Sequence, residues 1–216
     1  MLDAYNRRLA SHPFSTNLAT AGVATFLGDV LAQHVEIFRS QPEGEGRVRA
    51  TLEAEKSYKR TAVMTSWGAT LYAGIWLPWY KIMDKTVTLA RPVVAAAALK
   101  SALTAAIAAP IANSVFFTYV TTVEYMLEPP ELRKVTPLPT RIREKLDADL
   151  LSTWAASAKL WGPVMTLNWW IVPTQYRFIV SVFTAVGWNC FLSLVQHRGH
   201  NHPALSQIDE IEDNLH

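Results

Sequence analysis

The feature that most constrains this chain is a set of long stretches that contain no Asp, Glu, Lys or Arg. A helix needs about twenty largely apolar residues to cross the roughly 30 Å hydrocarbon core of a bilayer. A helix also satisfies its own backbone hydrogen bonds, which no water can do at that depth. Four stretches meet or approach this length: residues 61–80, 101–123, 160–176 and 178–196. They predict an all-α integral membrane protein.

A fifth, weaker candidate runs from Leu18 to Phe38 and carries Asp29 near its centre. An ionised Asp at the centre of a membrane helix costs roughly 2.5–3.5 kcal/mol, whereas each Phe, Ile, Leu or Val contributes only roughly 0.3–0.6 kcal/mol in favour of insertion. The segment is therefore marginal alone. We expect it to pack its polar face against partner helices.

The predicted fold class is an integral membrane helical bundle with four to five hydrophobic helices. Four full spans plus one tilted or interfacial helix fit the sequence as well as five spans do. The bundle forms a single unit over residues 1–197, followed by a polar tail at 198–216. With their helical extensions, the candidate spans are 18–38, 61–80, 93–123, 152–172 and 176–196.

Two polar loops separate these spans, at residues 39–60 and 128–149. They carry six and five Lys or Arg residues, which is more than the other connections carry. Loops rich in Lys and Arg stay on one side of a membrane. We therefore predict that the two loops share a side.

Composition and motifs exclude several other classes of protein. A net charge of +2, with dispersed basic residues, argues against nucleic-acid binding. Phosphate-binding loops, nucleophile elbows, dinucleotide fingerprints and zinc-protease motifs are absent from the sequence. We predict no catalysis, no cofactor and no metal site. The expected partners are the lipid bilayer and small-molecule solutes, with a homo-oligomer or a larger membrane complex left open.

Small side chains form two stripes on the segment 93–114. Stripes of this kind let two helix backbones approach closely in a membrane. We expect either a tight helix contact or the smooth wall of a narrow pore. The first stripe is Ala98, Ala102 and Ala106, and the second is Ser101, Ala105 and Ala109.

Polar residues within the spans are the candidate site, because ionisable groups in a membrane are costly and usually functional. Asp29 and Gln33 are four residues apart and share a helix face. We expect this face to point into the bundle, toward Arg60, Lys100 or Asn168. A functional interpretation makes these five residues line a hydrated pathway that biases which ions pass. A structural interpretation makes Asp29 part of a buried or interfacial ion pair that sets the helix register.

Short motifs in a fixed order connect these segments to a known family. The chain resembles the Mpv-seventeen and peroxisomal-membrane-protein-twenty-two family of small multi-span proteins over about residues 5–195. The order and spacing of the motifs carry the resemblance rather than any single one of them. The matching residues are Tyr5, Leu9, His12, Pro13, Thr16, Gly28, Asp29, Ala32, Gln33, Arg60, Thr61, Trp79, Tyr80, Asp84, Lys100, Pro110, Trp161, Gly162, Pro163, Asn168, Trp169, Val172, Pro173, Arg177, Trp188, Asn189 and Ser193.

The resemblance implies a four-span bundle that acts as a non-selective or weakly selective channel for small solutes and supports metabolite exchange and membrane homeostasis. It implies the mitochondrial inner membrane, with the peroxisomal membrane as the alternative. A non-conducting scaffold or assembly component of a larger membrane complex is the alternative function. The chain departs from the family where polar groups are usual, at Ala73, Gly74, Leu77, Thr104 and Ala105.

Overall fold

The computed structural model describes residues 2–39, 58–87, 93–134, 136–173 and 177–197. These residues are 93% helical and include no strand, which confirms the all-α membrane bundle. Seven helices succeed one another in them: α1 (Leu2–Ser11), α2 (Pro13–Arg39), α3 (58–86), α4 (Val93–Leu127), α5 (Pro130–Arg133), α6 (Leu138–Trp170) and α7 (Arg177–Gln196).

Each predicted hydrophobic segment falls in its own long helix, namely α2, α3, α4, α6 and α7. At 1.5 Å rise per residue, even the 20-residue α7 is about 30 Å long. By length and composition together, Pro13–Val35 and Val93–Leu127 qualify as membrane spans, with mean hydropathies of 1.2 and 1.7. Val180–Gln196 is a shorter apolar helix. The long helix α6 contains polar residues that are buried inside the bundle, such as Asn168.

The second half of the predicted polar loop at 128–149 is a helix, so that prediction is wrong there. Helix α6 begins at Leu138, and its Pro139 lies in the first turn, where a missing backbone N–H costs nothing. Charged side chains four residues apart then pair along the helix, as Lys145 does with Asp149 at 2.9 Å. The prediction took a polar segment for a loop. A helix with charged side chains can, however, extend beyond the apolar layer of the membrane. Residues 40–57 of the other predicted loop, and the tail from 198, lie outside the described residues.

Successive long helices run in opposite directions, and contacts between them define two ends of the bundle. At the Arg60 end, Arg60 meets α2 and α7, and Gln196 of α7 meets Glu124 of α4 at 3.0 Å. At the Lys100 end, Lys100 of α4 lies beside Trp169 of α6. The end of α2 and the start of α3 therefore lie at the Arg60 end, together with the end of α4 and the start of α6. The helix ends next to the two predicted polar loops thus share one side.

Close approach of backbones holds α2 against α7. A Cβ atom on Gly28 would lie 2.6 Å from the Cβ of Asn189 and 2.8 Å from the carbonyl oxygen of Val186. Small residues at such crossings let membrane helices pack by van der Waals contact. Beside this crossing lies an aromatic core, in which the Trp67 and Phe116 rings meet edge to face at 5.4 Å.

Helix α4 contains one wider turn, a π-helical segment at Thr104–Ala108. The backbone N–H of Ala109 donates to the carbonyl of Thr104, five residues back. The next bond in this series would run from residue 110 to Ala105, but Pro110 has no N–H. The Ala105 carbonyl instead accepts a hydrogen bond from the indole Nε1 of Trp154 at 2.7 Å. The side chain of α6 therefore replaces the missing backbone donor.

Candidate functional site

The polar residues predicted within the first span form a buried network at the Arg60 end. Asp29 is fully buried, and both of its carboxylate oxygens are bonded. Oδ1 accepts hydrogen bonds from Arg60 Nε at 2.9 Å and from the hydroxyl of Ser193 at 2.5 Å. Oδ2 accepts from the Thr61 hydroxyl at 2.6 Å and from Gln33 Nε2 at 2.7 Å. One carboxylate thus joins α2, α3 and α7.

This network offsets the cost of placing a charge inside the bundle. The guanidinium of Arg60 supplies the opposite charge, and its Nη2 also donates to Ser193 at 3.0 Å. Removing one partner of a buried ion pair typically costs 3–5 kcal/mol, because the other charge is then left uncompensated. The Asp29 network is therefore suited to fixing helix register. This geometry favours the structural interpretation of Asp29.

The structure brings together three of the five predicted site residues, and it separates the other two. Asp29, Gln33 and Arg60 meet in one network. Lys100 lies at the opposite end, where its Nζ pairs with Asp84 Oδ1 at 2.6 Å. Of the three partners expected for Asp29, Arg60 is confirmed. Whether any of the five residues faces a pathway stays a prediction.

Asn168, the fifth predicted residue, fixes the short connection between α6 and α7. Its Nδ2 donates to the carbonyl of Arg177 at 2.9 Å and to the hydroxyl of Ser181 at 3.0 Å. The Arg177 guanidinium in turn donates to the Val172 and Trp169 carbonyls at 3.1 and 3.2 Å. These bonds satisfy backbone groups that Pro173 and the end of α6 leave exposed. The role seen for Asn168 is thus to hold a turn.

A small cavity lies elsewhere, between α3, α4 and α6. Its volume of about 20 Å³ is room for one water molecule. It sits beside the wider turn of α4, where helix geometry is irregular, and π-helical turns of this kind are frequent at functional sites. The lining residues are Trp76, Ser101, Thr104, Ala105, Ala109, Ser157, Trp161, Gly162 and Met165.

The cavity wall is mostly apolar and uncharged, and it includes three hydroxyl groups. Its hydroxyls come from Ser101, Thr104 and Ser157, all of them buried. Ser101 donates to the Gly162 carbonyl at 2.7 Å, and the Trp79 indole donates to Thr104 at 2.9 Å. The hydroxyl protons of Ser101 and Thr104 bond to the Gly162 and Lys100 carbonyls, so their oxygens can accept a further hydrogen bond from a polar solute. The wall offers no ionised side chain to attract or repel an ion.

Two further polar groups between α4 and α6 lack partners. The amide Nδ2 of Asn113 and the hydroxyl of Thr153 are buried and make no hydrogen bond within the described part of the chain. The antiparallel register follows from the bond between Ser101 and Gly162, and it places Asn113 and Thr153 within about one helical turn of each other. Buried polar atoms without partners are unusual in folded proteins. We call the cavity wall and these two groups, which belong to α4 and α6, the α4–α6 seam.

The two small-residue stripes of α4 differ in burial. Ser101, Ala105 and Ala109 line the cavity, as a contact or pore wall requires. Ala98, Ala102 and Ala106 are exposed, so the prediction of a helix contact for that stripe is wrong. The two stripes lie about 60° apart on the helix, given 100° per residue, and only packing decides which one faces inward.

Sequence reasoning did not single out Ser157 or Thr153, although it noted Ser101 and Thr104 in other contexts. A usable signal was present in the sequence. Hydroxyl residues recur at Ser152, Thr153 and Ser157 in a segment that also contains Gly162 and Pro163. Within the described ranges, no three His, Cys, Asp or Glu side chains are grouped as a metal site would require.

Comparison with known proteins shows which proteins this chain resembles. The model of the Mpv17 / PMP22 family matches residues 139–193, which cover most of α6 and α7. The yeast Debaryomyces hansenii has a similar protein, Protein SYM1, which is 26% identical and covers 91% of this chain and 89% of its own length. The Mitochondrial inner membrane protein Mpv17 of Danio rerio is 29% identical over 88% of this chain and 93% of its own. Protein SYM1 of Saccharomyces cerevisiae is 26% identical, covering 89% and 88%. No solved structure matches the chain.

Proposed function

We propose that this chain, which belongs to the Mpv17 / PMP22 family of membrane proteins, is a small-solute channel of the mitochondrial inner membrane. Relatives from Danio rerio, Bos taurus and Homo sapiens are named mitochondrial inner membrane proteins. These names favour the mitochondrion over the peroxisome. They name a membrane protein rather than an enzyme.

The observation that carries the proposal is the small cavity between α3, α4 and α6, whose wall includes three buried hydroxyl groups. Helices that serve only to span a bilayer have no need of unpartnered amides and hydroxyls at their contacts, because such groups cost free energy when they are buried. Here the amide of Asn113 and the hydroxyl of Thr153 have no partner among the described residues. The hydroxyls of Ser101, Thr104 and Ser157 lie in the cavity wall on the same two helices. We place the solute pathway along this seam. The structure then represents its closed conformation, in which the cavity has room for only one water molecule.

The seam also indicates the class of solute. Its lining consists of hydroxyls, one amide and small or aromatic side chains. Selectivity in membrane pores follows from the diameter, from the hydrogen-bonding groups and from the charges that line the path. The lining of the seam itself contains no charged side chain, which favours small uncharged polar solutes such as urea and glycerol. The Asp29 network lies apart from it and has its carboxylate fully bonded.

Solute flux through purified protein in liposomes tests the proposal. Vesicles that contain the protein should release urea and glycerol faster than empty vesicles do, with little effect on potassium or chloride. Protein denatured before reconstitution serves as the control for leak. Flux equal to that of empty vesicles, from protein that is folded and inserted, would overturn the proposal.

A second function, a non-conducting scaffold, has one observation in its favour. The Asp29 network joins α2, α3 and α7 through four donors on a single carboxylate. Such a rigid unit suits a protein that presents its polar ends to other membrane components. Absence of flux, together with recovery in a stable membrane complex, would favour the scaffold.

A further inference from the structure

Three large side chains lie just beyond the cavity, all of them at the Lys100 end. They are Tyr80 of α3, Lys100 of α4 and Trp169 of α6. Each lies four residues, about one turn, from a residue that lines the cavity. Those lining residues are, in the same order, Trp76, Thr104 and Met165. Because α4 runs opposite to α3 and α6, all three displacements point the same way.

Trp169 contacts both of the other side chains. The rings of Tyr80 and Trp169 meet edge to face, with centroids 6.2 Å apart and planes at 85°. The ammonium group of Lys100 lies 5.8 Å from the Trp169 ring centroid, within the range of a cation–π contact. Trp169 also packs with Met165 of the cavity wall in a buried cluster. We call Tyr80, Lys100 and Trp169 the lid.

A salt bridge ties the lid to the surface. Lys100 Nζ lies 2.6 Å from Asp84 Oδ1, and the side chains of the two residues are 13% and 51% exposed. The order from the inside outward is therefore the Trp169 ring, the Lys100 ammonium and then the Asp84 carboxylate. Asp84 holds the ammonium group over the ring from the solvent side.

Aromatic residues at a membrane interface usually face lipid headgroups. Trp170 fits that description, with half of its surface exposed. Trp169, its neighbour, is only 6% exposed and faces into the bundle. The position of Trp169 is thus explained by closure of the cavity rather than by anchoring in the interface.

We infer that the lid is a gate for the solute pathway and that the Lys100–Asp84 salt bridge keeps it closed; this inference rests on the function proposed above. When Lys100 leaves Asp84, its flexible side chain can swing off Trp169, and the ring loses the contact that holds it over the cavity. The bridge is partly exposed, so its loss shifts the balance without unfolding the bundle.

The test is Asp84→Asn, which removes the charge and keeps the size of the side chain. We expect urea flux to rise about two- to fivefold, as the strength of an exposed salt bridge implies. Asp147→Asn is the matched control, since Asp147 forms an exposed salt bridge with Arg143 on α6, away from the lid. It should leave flux unchanged.

Thiol labelling gives a second readout that does not depend on conduction. Ser157→Cys places a reporter in the cavity, in a background where the native Cys190 is replaced by Ala. A membrane-impermeant methanethiosulfonate reagent should label it faster when Asp84→Asn is present. Ala102→Cys, on the outward face of α4, should stay slow in both backgrounds.

The outcomes separate the gate from the channel. Faster labelling without any flux would support the lid and overturn the proposed channel. Measurable wild-type flux, with neither readout changed by Asp84→Asn, would overturn the lid and leave the channel standing. An equal rise in labelling at Ser157→Cys and Ala102→Cys would also overturn the lid, because it would show general loosening of the bundle.

Discussion

At the scale of single residues, Asp29 shows how a charge is kept inside a membrane bundle. Each carboxylate oxygen accepts two hydrogen bonds, and one of the four donors is the Arg60 guanidinium. Desolvation of a charge is costly, and it is offset only where geometry and hydrogen bonds are nearly complete. Here the four hydrogen bonds to the carboxylate offset the desolvation of Asp29. Because their donors come from α2, α3 and α7, the same bonds join these three helices.

The replacement Asp29→Asn should therefore destabilise the protein strongly. The amide removes the negative charge that faces the Arg60 guanidinium, and its NH₂ group faces donors instead of accepting from them. We expect a loss of about 3–5 kcal/mol in the free energy of unfolding, seen as a lower midpoint in thermal unfolding in detergent.

Asp147→Asn is the control for this change, because the Arg143–Asp147 pair is exposed and worth less than about 1 kcal/mol. If both variants unfold at the wild-type temperature, the Asp29 network has no structural role. A change in solute selectivity without loss of stability would instead support the functional interpretation, in which Asp29 lines the solute pathway.

Sequence alone predicted part of this residue-scale picture. The four-residue spacing of Asp29 and Gln33 predicts a shared helix face, and the cost of a buried charge predicts a basic partner. Three candidate partners remained open, since the choice among Arg60, Lys100 and Asn168 depends on which ends of α2 and α3 meet. That is set by the antiparallel register of the whole bundle.

At the scale of elements, the crossing of α2 and α7 depends on Gly28. A Cβ atom there would lie 2.9 Å from the backbone nitrogen of Cys190 and 2.8 Å from the Val186 carbonyl oxygen. Backbone atoms of a packed helix cannot move aside as a flexible side chain can. The helices meet at this distance only because Gly28 has no side chain.

The replacement Gly28→Ala should separate α2 from α7 and lower the free energy of unfolding by about 1–3 kcal/mol. Gly74→Ala is the matched control, because a Cβ atom at Gly74 meets nothing within 4 Å. Since Ala favours a helix over Gly, the control should be neutral or stabilising. Equal unfolding midpoints for the two variants would contradict the close crossing at Gly28.

Element identities were predictable because each apolar run is long and free of charge. The start of α6 was not predictable, because residues 138–149 are strongly polar. A polar segment between two apolar ones is typical of a loop. Its charged residues include Arg141, Arg143, Lys145 and Asp149. The orientation of α4 was also beyond sequence reasoning. Its two small-residue stripes are alike in composition, and only the partner helix α6 distinguishes them.

At the scale of the whole molecule, five long helices alternate in direction and divide the polar groups into two regions. The Asp29 network at the Arg60 end fixes α2, α3 and α7. The α4–α6 seam holds the cavity, with the lid toward the Lys100 end. The sequence predicted the polar groups of the first region. It did not predict those of the second, because the recurring hydroxyl residues at 152–157 could be assigned to a common site only once α6 is packed against α4.

The most direct test of the central claim compares urea flux through three variants in liposomes. Ser157→Val fills the cavity, Ala102→Val adds the same kind of bulk to the outward face of α4, and Ser193→Ala removes a donor from the Asp29 network. The account predicts that Ser157→Val lowers flux severalfold while Ala102→Val and folded Ser193→Ala conduct like wild type. Unchanged flux in Ser157→Val, with loss or altered selectivity in Ser193→Ala, would contradict it and place the pathway beside Asp29.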